Sequence, residues 1–164
     1  MGFLRNLFVP KPKHSQSLTP ELDGIFQDLQ RAIIKIKGRT KISYLVIIPV
    51  LFKIGTELLV KSRGLDSTRL LYENFLSDFD RTQNIPSEAI LSVQTPEQPL
   101  HHRVEVTTAL WSLVNDLVKQ GNSHERIGQT FSFYGLELAE SKVDKMYSAY
   151  LIRLTYTNLV GRAN

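Results

Sequence analysis

The sequence has no cysteine. Disulfides, thiol catalysis and cysteine-ligated zinc are therefore excluded, and the absence is compatible with the cytosol. It also lacks a glycine-rich phosphate loop of either standard type, a His-Glu-x-x-His pair and a Gly-x-Ser-x-Gly elbow. No long hydrophobic run is intact. The longest, Ile42–Val60, is interrupted by Pro49, Lys53, Gly55 and Glu57. A membrane span needs about 20 mostly apolar residues, and its centre tolerates charge poorly. The run reads as buried core instead. The apolar start, Met1–Val9, is too short for a secretory core and is closed by Pro10. There is no internal repeat and no sustained heptad.

What is present is an ordinary globular composition, unevenly charged. Hydrophobic residues make up 42% of the 164 and charged residues 22%, enough apolar chain to bury a core. The formal net charge is +4. Residues 1–64 carry 11 Lys/Arg against 4 Asp/Glu, a net of +7; residues 65–164 carry 9 against 12, a net of −3. An anionic partner is attracted to the first part and not to the second. The chain divides into a basic amphipathic arm and tether, 1–18, and one globular domain, 19–164.

The expected fold is α+β and helix-rich, with one or two small antiparallel hairpins on three to four helices; the alternative is an all-α bundle. Thr19-Pro20 signals a helix start, followed by a stripe of Leu22, Ile25, Phe26 and Leu29. Ile34–Lys37 alternates apolar and basic up to Gly38, and Lys41–Ile48 is rich in β-branched residues. This pattern reads as a hairpin turned near Gly38, or as one helix ended by that glycine. Pro49 marks a bend or an edge. Asp66 caps a helix through Phe79, with Leu70, Leu71, Phe75 and Leu76 facing inward. Asn84–Pro99, with three prolines, is a loop holding at most a short helix at Ser87–Leu91. Val104–Val118 has helical spacing in Val104, Leu110, Trp111, Val114 and Leu117, with strand character conceivable at His101–Val106. Ser123 caps a short segment around Ile127. Thr130–Leu138, around Gly135, reads as a tight hairpin. The last helix is expected over Glu140–Leu159.

Candidate sites follow from charge more than from chemistry. His101, His102 and Glu105 form the one visible ligand cluster, but a transition-metal site needs three or four ligands. No cofactor or metal is expected, and no general acid, base or nucleophile can be assigned. The arm places Phe3, Leu4, Leu7 and Phe8 beside Arg5, Lys11 and Lys13. This is a design for an anionic membrane surface, with each basic residue worth about 1 kcal/mol there. Lys35, Lys37, Arg39 and Lys41 flank the turn and form a compact anion-binding patch. Gly121–Gly128 followed by Ser141-Lys142-Val143 resembles a helix-turn-helix, with Arg126, Lys142 and Lys145 as its nucleic-acid contacts. About a dozen residues stand where that motif has three or four.

The layout of apolar-basic arm, proline-containing tether and compact body is similar to that of the small matrix proteins of enveloped viruses. The sequence therefore reads as a non-enzymatic structural or assembly protein, cytoplasmic and peripheral to a membrane. Its expected partners are an anionic lipid surface and itself or other structural proteins. The alternative is a nucleic-acid-binding protein using the Lys35–Lys41 patch or the degenerate C-terminal motif.

Overall fold

The computed structural model describes residues 20–39, 41–83 and 96–163. Among the described residues six α-helices follow one another: α1 Pro20–Arg39, α2 Tyr44–Arg63, α3 Leu65–Gln83, α4 Leu100–Lys119, α5 His124–Leu138 and α6 Lys145–Ala163. A π-helical turn, Ala139–Val143, joins α5 to α6. Among the described residues there is no strand. The described residues form an all-α bundle of six helices, and the expected α+β fold with hairpins is overturned.

Both expected hairpins are helix in the fold. Around Gly38, the alternation of Ile34–Lys37 is superimposed on a longer helical stripe: Ile25, Phe26, Leu29 and Ile33 are buried and Ile36 is half-buried, whereas Ile34 points outward. The helical period wins because it buries the whole row. Ser43 then caps α2, its hydroxyl accepting from the Leu45 N–H at 3.0 Å. Pro49 lies inside α2 rather than on a sheet edge. His101–Val106 is the first part of α4, and Thr130–Leu138 is the body of α5. That last run is buried at every position but Glu137, so periodicity does not separate a buried strand from a buried helix.

α2 and α5 are the two helices buried on nearly every side, and they pack against each other as the centre of the bundle. They run antiparallel: Gly135 faces Ile48 and Phe52, while Gly128 faces Gly55, Leu58 and Leu59. Small residues permit the close approach. A Cβ on Gly55 would lie 2.7 Å from the Ser132 amide nitrogen and would collide with the Ser132 hydroxyl. α1 lies across α5 and α4, with Phe26 edge-on to Tyr134 at 5.1 Å. α3 packs on α2 and α6, and α4 covers α2.

The turns carry their own causes. Gly121, at φ +95°, closes α4, and the Ser123 hydroxyl caps α5 by accepting from the Arg126 N–H at 3.2 Å. α5 is longer than the short capped segment expected there. The expected single C-terminal helix is interrupted at Asp144, which is extended. Its carboxylate accepts from the Tyr147 N–H at 2.8 Å and so caps α6. Three inward assignments also change: Leu70, Val104 and Trp111 are exposed, at 58%, 57% and 36%.

Candidate binding surfaces

The α1–α2 junction and the π-helical turn meet at Tyr44. The Lys37 ammonium donates to the Ile42 carbonyl at 2.7 Å, which folds it over the junction. The same nitrogen stands 4.5 Å from the centroid of the Tyr44 ring. Lys142, from the π-helical turn, reaches the same ring at 5.5 Å. Both distances lie within cation–π range. Lys35, Arg39 and Lys41 are exposed on α1 and the junction, and Lys145 is exposed at the start of α6. Lys37 and Lys142, expected to belong to two separate basic groups, thus meet at one ring.

The corner is not purely cationic. Glu137 and Glu140 are half-buried beside the turn, and Asp144 is exposed but engaged as the α6 cap. Burial pushes the Tyr134 hydroxyl up to about 12, with the neighbouring Tyr44 and Glu137 adding to the shift. Tyr134 is thus neutral near pH 7, and the corner's charge is set by its lysines, arginine and carboxylates.

Arg126 does not join them. It sits in the first turn of α5, roughly 18 Å along the helix axis from Leu138 at 1.5 Å per residue. The helix-turn-helix reading loses its turn as well, because Gly128 is inside α5 and packed on α2. His101 and His102 are neighbours on α4, ring to ring at 4.4 Å. Among the described residues no three His, Asp or Glu side chains group as metal ligands. The arm residues Phe3, Leu4, Arg5, Leu7, Phe8, Lys11 and Lys13 lie outside the described residues, as does the short helix expected at Ser87–Leu91.

A second surface was not anticipated. Between α2, α4 and α6 runs a groove made of two adjoining concavities of about 690 and 560 Å³. They share Pro49, Leu100 and Arg103. Tyr150, Leu151 and Leu154 of α6 close one end; Ile54, Val104 and Trp111 line the other. The sequence held a signal for it. α4 carries two apolar stripes: Val106, Leu110, Val114 and Leu117 are buried, whereas Leu100, Val104, Trp111 and Val118 are exposed. A helix on the outside of a bundle needs only the first.

No protein-family model, curated protein or solved structure matches this chain. Among the described residues, no helix is long and apolar enough to cross a membrane. The chain holds a small all-helical fold, and its functional reading rests on these two surfaces.

Proposed function

We propose that this chain is a non-enzymatic binding protein that holds nucleic acid by its phosphate backbone at the Tyr44 corner. One observation carries the reading: Lys37 and Lys142, distant in sequence, bring their ammonium groups onto one tyrosine ring. Lys41 and Lys145, exposed and three residues in sequence from Tyr44 and Lys142, extend that charge, whereas Lys35 and Arg39 stand two residues from Lys37 and so on another face of α1. Phosphate contacts of this kind give affinity without base recognition. Tyr44 is half-buried and already engaged by two cations, so it is a support for lysines rather than a stacking platform for bases.

The test is equilibrium binding to labelled double- and single-stranded nucleic acid over a range of salt, with anionic and neutral vesicles in parallel. Sequence-independent affinity that falls with salt, at a slope near −0.9 per phosphate neutralised on duplex DNA, is the expected result. Lys41→Glu and Lys142→Glu should each weaken it. Absence of affinity at low salt would sink the proposal. Preferential binding to anionic vesicles, abolished by Phe3→Ser with Phe8→Ser, would replace it with the peripheral-membrane reading.

A further inference from the structure

We infer that the groove between α2, α4 and α6 receives a second copy of this chain, the exposed stripe of α4 from each copy entering the groove of the other. This goes beyond the anion-binding reading and does not depend on it. Three observations converge. First, Leu100, Val104 and Trp111 both line the groove and stand on the exposed stripe of α4. Ridge and recess therefore belong to one helix and lie side by side, the arrangement a two-fold axis requires for a self-complementary contact.

Second, the stripe has the dimensions of a helix contact. Leu100 to Val118 spans about 27 Å at 1.5 Å per residue. Its apolar members are separated by four and seven positions, the spacing that seats one helix face in a groove.

Third, the charged residues around the groove are of both signs. Lys53 and Arg103 stand against Glu97 and Glu57, and Glu57 is already paired with Arg162. A rim of one sign would repel its own copy. This one offers each copy's cations an opposite charge on the other, and it gives a polyanion no preference for the groove. The corner's Lys37 and Lys142 stand on α1 and the π-helical turn, which do not line the groove, while Tyr44 and Lys145 open the groove helices α2 and α6. A dimer carries two copies of that corner, so two weak phosphate-binding sites act together.

Sedimentation velocity on the full chain, from low micromolar to the highest soluble concentration, tests this directly. A monomer–dimer equilibrium is expected. Trp111 is the sole tryptophan, so its emission should shift to shorter wavelength along the same concentration axis. Val104→Glu should weaken the dimer by about tenfold or more, as for a central interface residue. Leu100→Glu is the second variant. Both positions are exposed, so far-UV circular dichroism and the monomer's melt should stay as in the parent. A chain that stays monomeric throughout overturns the inference. So does a dimer that ignores both substitutions, which would place the contact elsewhere. A Trp111 shift that is independent of concentration and lost with Phe3→Ser and Phe8→Ser would instead make the arm of the same chain the occupant.

Discussion

Gly55 and Gly128 meet backbone to backbone: the Gly55 carbonyl oxygen lies 3.0 Å from where a Cβ on Gly128 would stand. Leu58 and Leu59 close the same spot at 3.1 Å. A larger side chain there must push the two central helices apart. Gly128→Leu should therefore destabilise the fold by about 3 kcal/mol or more, read as a lower urea midpoint. Gly24 is the control. It is exposed in α1, and nothing lies within 4 Å of its would-be Cβ. Gly24→Ala should stabilise by roughly 0.5–1 kcal/mol, because alanine restricts the unfolded chain more than glycine does. Equal responses at the two sites would contradict the packing described.

The helices that could be read from the sequence were those with one apolar face. α4 shows Leu110, Val114 and Leu117 at helical spacing, and all three are buried. The first two turns of α1 were legible for the same reason. α2 and the second half of α5 were not. Both are buried nearly all round, and a helix surrounded by protein loses the polar face that reveals its period. β-branched residues in α2, Val46, Ile47, Ile48 and Val50, then tipped the reading toward strand, although burial outweighs so small a propensity. The basic corner was half legible. Lys35–Lys41 could be grouped by proximity in sequence, but its meeting with Lys142 depends on α5 returning alongside α2. The groove was hidden because Val104 and Trp111 were assigned to the one inward face, when they mark a second.

Three tyrosines are held protonated above the usual phenol range by burial. Tyr72 is fully buried, and its hydroxyl lies 2.6 Å from Thr56 Oγ1. Thr56 donates to the Phe52 carbonyl at 2.7 Å, so its oxygen accepts the Tyr72 proton. Burial pushes Tyr72 up to about 12, its contacts with Thr56 and Ser132 and the charge of Arg63 opposing only in part. Burial does the same for Tyr134 and Tyr147. A raised folded-state value means that the unfolded chain releases protons first. The stabilisation is complete below about 10, the unfolded value, and is lost as pH climbs through about 12. Urea stability should fall steeply across that window. Tyr72→Phe should flatten the fall, removing a contribution on the order of 2–3 kcal/mol at 1.36 kcal/mol per unit. An unchanged profile would show that Tyr72 does not titrate with unfolding.

Lys37 and Lys142 touch the same ring but should respond differently to substitution. Lys37 also donates to the Ile42 carbonyl, so Lys37→Met removes a junction hydrogen bond as well as a charge. It should cost about 1 kcal/mol in stability and also weaken phosphate binding. Lys142→Met removes only the longer ring contact and the charge. Its melt should shift little, while its affinity for nucleic acid drops and the salt slope shrinks by about one phosphate. Thermal melts and a salt titration on the same preparations separate these roles. Loss of stability in Lys142→Met with no change in salt slope would make it a structural lysine.

Two further contacts pin α2, one at each end, and they should differ in their response to salt. Toward the C-terminal end, Arg162 of α6 pairs with Glu57 at 2.5 Å, with side chains 45% and 37% exposed. At the N-terminal end, the Ser43 hydroxyl accepts from the Leu45 N–H. A half-exposed ion pair gains modest Coulomb energy and is screened, so Arg162→Ala should cost no more than about 1 kcal/mol, less at high salt. The Ser43 bond is short-ranged and neutral. Ser43→Ala should cost about 1 kcal/mol, nearly the same at every ionic strength. Melts of both variants at low and high salt decide the matter. A salt-independent loss in Arg162→Ala would mean that the arginine holds α6 against α2 by packing its stem, and that its charge contributes little.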